Sequence, residues 1–449
     1  MMFLKAERKA ADGYSNAAAF LGDSSRLMSA GTFVRTGLTS NSELLTTMYR
    51  VNWLCKRIID MPTEDMTRAW YRFSGNIPED KLHRLRRLEA EHSVKQELAN
   101  AIRWGRLYGG ALALMVIRNE EEYLDQPLDL EMLIPESFQG LLVLDRTQGV
   151  SPSVEKVTDL DDPDFGLPMY YTVTLETDEV RMVRIHHSRV LRFIGRELPA
   201  AEAANEESWG ASEMEHIFDE LQKRSATSAN IAELVFRANT TTLKIADFGE
   251  SLAKGTDGKR EKILRAMEEE NRLRTSYGLQ ILSAGDSMET HAYSFGGLSE
   301  IYDQFMMDMA GASEIPATKL FGRSPQGMNA TGESDMRNYY EYIAQLQERH
   351  LRPALEKLLP VMAISSWGYC PEDLEFIFEP LMTTSKEAQA ELIAKLSEGV
   401  IQAFTAGLIT REEALNELKE RGAELGYWKG VGRNGVRNHA FPIPCGIET

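Results

Sequence analysis

Apolar residues recur every three to four positions over two long stretches in the second half of the chain. Leu298, Ile301, Tyr302, Phe305, Met306 and Met309 share one helical face, while Asp303, Gln304 and Asp308 fall on the other. Tyr339, Tyr340, Ile343, Leu346, His350, Leu351, Leu355, Leu358 and Met362 repeat the spacing over a longer span. Pro353 and Pro360 lie inside that second stretch, where a missing N–H and a ring clash with the preceding turn predict a kink or break. Between the two helices runs a polar loop from Pro316 to Gly332, punctuated by Gly and Pro and carrying no catalytic-looking side chain. Such long connections are usually functional or disordered.

Earlier in the chain, Met48, Val51, Cys55 and Ile58 predict a helix from Glu43 that ends near Pro62. A second helix after Pro78 is marked by Leu82, Leu85, Leu88, Val94, Leu98 and Ile102. Beyond Gly109 and Gly110 the pattern becomes strand-like at Ala111–Ile117, Leu141–Asp145, Tyr170–Leu175 and Val183–Phe193, so this part is a mixed α+β lobe. Ala211–Ala238 reads as one long helix. Its stripe of Met214, Ile217, Leu221, Ile231 and Val235 is interrupted by Ser225, Thr227 and Ser228, which suits packing beside copies from other subunits. Thr241–Ile245, Leu279–Leu282 and Glu289–Tyr293 are expected strands around a charged helix, Lys259–Arg274. Phe376–Pro380 is extended, and capping boxes at Thr384/Glu387 and Thr410/Glu413 open two helices hinged at Gly407. Met1–Ser42 and the segment from Gly430 lack periodicity and are expected to be a mobile arm and a loose tail.

With 449 residues, 43% hydrophobic and 26% charged, the chain can bury a sizeable core. The longest apolar run, Ala111–Ile117, is far too short to span a bilayer, and the first thirty residues lack the apolar core of a signal peptide. The expectation is a protein that stays in the cytoplasm where it is made, with no membrane partner. Cys55, Cys370 and Cys445 show no C-x-x-C spacing, so neither a disulfide framework nor a thiolate zinc site is indicated. A net charge of −18 argues against gripping nucleic acid along the whole surface. Much of that charge is local: Asn119–Met182 holds sixteen acidic residues against Arg146, Lys156 and Arg181. A solvated face on an irregular lobe accounts for it; an acidic lining that keeps DNA from sticking is the sharper alternative.

Two phosphate-binding patterns fail. Gly249–Thr256 nearly reads as a P-loop, but Lys254 and Gly255 stand in the wrong order. Gly430, Gly432 and Gly435 satisfy G-x-G-x-x-G, yet no strand precedes them and too little chain follows for a βαβ unit. None of the eight histidines forms H-E-x-x-H or a metal-ligand set, so no cofactor, metal or catalytic residue is expected.

The run Ser313–Tyr340 (SEIPATKLFGRSPQGMNATGESDMRNYY) resembles the tunnel-loop region of tailed-bacteriophage portal proteins. The resemblance extends through Arg50–Tyr71, Trp104–Ile117, His186–Gly195 and Ser208–Phe236 in the family's order, and covers the chain from about Asn41 to Thr410. It implies a portal-type α+β fold, predominantly helical. Its parts would be an arm (1–42), a wing (43–210), a stem helix (211–238), a clip (239–296), a second stem helix (297–313), a tunnel loop (314–332), a long kinked helix returning to the wing (333–380), crown helices (381–429) and a tail (430–449). The implied assembly is a homo-oligomer, a dodecameric ring at one capsid vertex of the virion, built in the host cytoplasm. It would conduct double-stranded DNA during packaging and ejection without changing any bond.

Implied partners are the large terminase, then head-completion or tail adaptor proteins, together with the major capsid and scaffold proteins. The resemblance places Lys319, Phe321, Arg323, Gln326 and Asn329 in the tunnel loop facing DNA, where ring symmetry would turn a weak contact into a collar. Ile217, Leu221, Ile231, Ile301, Phe305 and Met309 would pack stem helices between subunits, and Lys259, Arg260, Arg265 and Arg272 would dock partners at the clip. One portal subgroup is linked to an anti-CBASS phosphodiesterase, which needs two H-x-[ST] motifs facing one phosphate. Here His186–Ser188 supplies one such motif, so a general acid and a general base cannot both be assembled. His186 and His187 are therefore expected to pack as strand residues in the wing.

Overall fold

The computed structural model describes residues 37–424, apart from 76, 121, 177–179, 238–240, 245–260, 263, 264, 266, 267, 269–286, 291–296, 323–331, 372, 373 and 383–385. The fold is α+β and predominantly helical. Two compact units emerge, one of Met1–Thr67 with Phe73–Glu375 and one of Arg68–Arg72 with Phe376–Thr449.

A 3-10 turn at Leu38–Ser40 opens the described chain, with Leu38 and Thr39 buried. The expected mobile arm therefore cannot reach Ser42; its first 36 residues lie outside the described ones. Asn41 caps helix α1 (Ser42–Val51) by accepting the Leu44 N–H. Helix α2 (Trp53–Arg68) continues through Pro62 instead of ending there. The missing proline N–H leaves the Ile58 carbonyl without its helical donor, and the Arg106 guanidinium takes that place at 3.4 Å. Strand β1 (Tyr71–Phe73) follows.

The single helix expected after Pro78 is two, α3 (Glu79–Glu91) and α4 (Val94–Tyr108). Ser93 adopts a left-handed conformation between them, φ 51°. The signal lay in the apolar stripe, where the step from Leu88 to Val94 is too long for one helical face.

Six strands then build two antiparallel sheets: β2 (Gly110–Ile117), β3 (Phe138–Asp145), β4 (Val150–Pro152), β5 (Tyr170–Glu176), β6 (Val180–His186) and β7 (Val190–Ile194). Their orders are β3-β2-β7 and β4-β5-β6. The strand expected over Val183–Phe193 is thus divided between two sheets by a 3-10 turn at His187–Arg189. Arg189, buried in that turn, donates to the Gln126 carbonyl at 2.7 Å and pairs with Glu120 at 2.9 Å, partners off either ladder. Leu112 and Leu114 of β2, Tyr171 and Val173 of β5 and Ile185 of β6 form one core around Trp209.

Glycines join this lobe to the next helix. The Gly195 and Gly210 N–H groups both donate to the Gly109 carbonyl at 3.0 Å, and a Cβ on Gly110 would overlap the Trp209 ring. After the short α5 (Ala200–Asn205), the 25-residue α6 (Glu213–Arg237) leaves this joint, about 38 Å long at 1.5 Å per residue. Strands β8 (Thr241–Lys244) and β9 (Ser287–Thr290) pair antiparallel, and α7 (Leu298–Ser313) returns along α6. Of the expected helix over Lys259–Arg274, the described residues Glu261, Lys262, Arg265 and Glu268 are helical; Leu279–Leu282 lies outside them.

Helix α8 (Ala317–Phe321) occupies the start of the predicted loop. Then α9 (Glu333–Leu346) runs through a π turn at Gln347–Leu351 into α10 (Arg352–Trp367). The break expected at the prolines takes the form of this widened turn just ahead of Pro353, while Pro360 is absorbed within α10.

In the second unit, Arg68 donates to the Leu381 carbonyl at 2.8 Å and Tyr71 packs edge-on to Phe376 of strand β10 (Phe376–Phe378) at 5.5 Å. Helices α11 (Lys386–Thr405) and α12 (Arg411–Glu424) flank Gly407, whose φ of +71° suits a glycine. The Thr410/Glu413 capping box forms: Thr410 N–H donates to the Glu413 carboxylate at 2.7 Å, and Glu413 N–H to Thr410 Oγ1 at 3.3 Å. The Thr384 box and the tail from Gly430 lie outside the described residues.

Candidate nucleic-acid interface

The predicted DNA-facing loop rises from a clamped foot. In α8, Lys319 Nζ lies 2.6 Å from Asp65 Oδ2 and over the rings of Tyr339 and Tyr340 at 4.9 and 5.0 Å. The Tyr339 hydroxyl donates to the same Asp65 oxygen at 2.7 Å. Burial, then the Asp65 charge, pushes the Tyr339 phenol far above its ordinary pKa. Arg57 donates to the Lys319 carbonyl at 2.9 Å, and Phe321 packs edge-on to Trp53 at 6.2 Å.

This geometry corrects two of the loop assignments. Lys319 and Phe321 are helical residues anchored on α2, and the Lys319 side chain, 15% exposed, has its charge balanced within the chain. The sequence hid this because Asp65 and Tyr339 lie far from Lys319 along the chain. Arg323, Gln326 and Asn329 fall outside the described residues.

Helices α6 and α7 divide the predicted stem residues. Ile217, Leu221 and Met309 are at most 5% exposed, buried within their own subunit, so the proposed subunit contacts do not extend to them. Ile301 is 52% exposed, and Ile231 and Phe305 are half-buried. Polar ties fix the pair: Arg224 donates to the Tyr302 hydroxyl at 2.9 Å, and His216 Nε2 bonds the Ala312 carbonyl at 2.7 Å. At the base of α6, Ser212 N–H donates to Thr39 Oγ1 at 2.9 Å, and Thr39 also contacts Glu215. Arg265 is exposed and pairs with Glu261 at 2.8 Å; Lys259, Arg260 and Arg272 lie outside the described residues.

The acidic lobe contains a second polar cluster. His187 Nδ1 lies 2.8 Å from Asp164 and its Nε2 3.7 Å from Asp162, while Lys357 of α10 also contacts Asp164. Burial alone would raise Asp164, but the His187 hydrogen bond and the Lys357 charge hold its carboxyl below the usual range. Asp162, Asp164 and His187 offer ligand atoms within 4.8 Å of one another, a metal-compatible set that no sequence spacing signalled. The Lys357 ammonium already supplies a cation there. His186 ends β6 with Nδ1 2.9 Å from Ser188 Oγ, and its pKa is depressed to about 4 by burial and then by His187 and Arg189. Both histidines are buried, as expected, although His187 belongs to the turn and not to a strand.

The fold is similar to that of a solved chain from the neck of a native gene transfer agent particle, computed with C12 symmetry. The two share 17% identity and a TM-score of 0.50 over 86% of this chain and 92% of that one. The chain belongs to the phage portal protein family, whose model matches residues 44–401. An uncharacterized protein of Haemophilus influenzae strain Rd is 29% identical over 394 residues, covering 87% of this chain and 86% of that protein. An anti-CBASS protein Acb1 of a Caulobacter strain is 28% identical over 366 residues, which cover 79% of this chain. The chain spans only 57% of that relative's length.

Proposed function

We propose that this chain forms a twelve-membered portal ring at a virion's capsid vertex, the channel through which double-stranded DNA enters and leaves. The observation that carries this reading is the α6–α7 pair, whose inner residues Ile217 and Met309 are consumed inside the subunit while Ile301 stays exposed for a neighbour. The C12 symmetry of the gene transfer agent neck supports twelve copies. In the ring, α6 and α7 are the stem, the region between them is the clip that docks terminase and then head-completion or tail adaptor proteins, and 43–210 is the wing against capsid and scaffold proteins. The segment after α8 is the tunnel loop, with Arg323, Gln326 and Asn329 toward DNA and Lys319 as its anchor. Few free cations suit a channel, since strong phosphate neutralisation would stall moving DNA. The portal changes no bond; assembly takes place in the host cytoplasm. The test is native mass. About twelve times the 50.6 kDa subunit supports the ring, and a folded monomer at every concentration, also in the presence of scaffold, refutes it.

The second reading, a phosphodiesterase related to anti-CBASS enzymes, draws on the Acb1 relative and on His186–Ser188. The burial of both imidazoles, 8% and 6% exposed, and the single H-x-[ST] motif in the sequence disfavour it. Hydrolysis of bis(p-nitrophenyl) phosphate that disappears in His186→Ala would restore it.

A further inference from the structure

Helices α11 and α12 form a hairpin that leaves much of its own apolar surface in water. Ile393 of α11 and Ala414 of α12 are buried, and Val400 and Leu418, further along the same two faces, are half-buried. Ile401, by contrast, is 57% exposed, Phe404 46%, and Leu408, just past the turn at Gly407, 77%. By the helical repeat, Ile401 and Phe404 stand on one flank of the line that Ile393 and Val400 turn toward α12. Leu396, Gly399 and Ala403 stand on the other flank.

The two flanks differ in shape. One carries a branched and an aromatic side chain, whereas the other is a shallow strip, open enough that a Cβ on Gly399 would meet nothing within 4 Å. Their edges differ in charge: Glu398 borders the bulky flank and Lys395 the shallow one, and both are exposed. The 2.8 Å pair that Lys395 makes with Glu391 lies at the surface and carries little energy, so the ammonium can exchange partners. An apolar cluster of this kind on a two-helix hairpin marks a contact surface. Flank and strip lie on opposite sides of one helix, so one copy cannot bring them together. A second copy can, with Ile401 and Phe404 as knobs on the strip and Glu398 facing Lys395. Because the two surfaces are different, the contact is head-to-tail, and it repeats from copy to copy until a ring closes.

We propose that Ile401 and Phe404 of each copy pack on the Leu396, Gly399 and Ala403 strip of the next. The inference rests on the ring reading and names one contact within it. The test uses the full chain with Cys370→Ser and Cys445→Ser, leaving the buried Cys55 in place, and adds Ile401→Cys and Ala403→Cys. A short bis-maleimide should then give a ladder of covalent oligomers on denaturing gels when both new cysteines are present, and no ladder with either alone. Phe404→Ala, with an unchanged circular dichroism spectrum, should raise the subunit concentration at half-assembly at least tenfold. Where rings form, absence of the ladder or unchanged assembly of Phe404→Ala overturns the contact and leaves the ring standing. Abundant dimers from Ile401→Cys alone show like flanks meeting, and a link from that position to Cys445 of the same copy, in a chain that keeps Cys445, shows the flank covered by the chain's own C-terminal segment. Either result overturns the proposal. A natural chain that stays monomeric overturns the ring reading and this contact with it.

Discussion

Lys319 Nζ sits 2.6 Å from Asp65 Oδ2, on an oxygen that the Tyr339 hydroxyl also reaches at 2.7 Å. One carboxylate on α2 thereby holds both ends of the segment read as the tunnel loop, its α8 foot and its α9 return.

Asp65→Asn should destabilise the protein by about 3 kcal/mol, because it leaves a largely buried ammonium without its countercharge. Urea unfolding measures this. Replacing Lys319 by Met in the same chain should recover part of the loss, whereas strictly additive effects would show that the two side chains do not interact.

Removing charge at Arg323 should act on DNA and not on the fold. The variant is expected to assemble rings of unchanged mass, with stability within about 0.5 kcal/mol of the natural chain, while filled heads retain less DNA. Lys319→Ala should show the reverse order of effects, losing stability first.

Arg106 offers a double-mutant cycle. Arg106→Met strips the Ile58 carbonyl of its donor and Glu213 of its 3.4 Å ion pair, and should cost about 2–4 kcal/mol. Pro62→Ala restores a backbone N–H that can reach that carbonyl. The cost of Arg106→Met should therefore fall by about 1 kcal/mol in the Pro62→Ala background, and identical costs in both backgrounds would refute the account.

Ile301→Asp should leave the subunit folded and abolish the ring, because the side chain is exposed within one chain. Met309→Asp, placed in the subunit core, should unfold it instead. Circular dichroism combined with native mass separates the two outcomes.

His186 and His350 both titrate near 4 in the folded chain instead of 6.5. Burial is the first cause for each, followed by His187 and Arg189 for His186 and by Arg106 and Arg349 for His350. With folded pKa values below the unfolded ones, the unfolded chain binds more protons between pH 6.5 and 4. Stability is then intact above about pH 6.5 and falls as pH drops toward 4, by at most about 1.4 kcal/mol per pH unit per histidine. His350→Gln should flatten the measured slope.

Periodicity located most helices and the central strands, since α6, α7 and the α9–α10 run each carry an apolar stripe long enough to read. It misplaced boundaries where a distant residue decides them. Pro62 should stop α2 by local rules, yet Arg106 supplies the acceptor's partner from another helix. Val183–Phe193 looks like one strand because nothing nearby reveals that Arg189 finds its partners at Glu120 and Gln126. The predicted loop begins as helix α8, and the pairing that balances the Lys319 charge is a tertiary fact. Likewise, the interrupted stripe on α6 reads as packing against other subunits, and the burial of Ile217 and Leu221 within their own chain is a tertiary fact that the stripe does not reveal.

The turn at His187–Arg189 hands the chain from one sheet to the other, and Lys357 of α10 grips it twice, through the His187 carbonyl at 3.3 Å and through Asp164. A displacement of α10 at Lys357 would therefore bear directly on a turn that joins the two sheets.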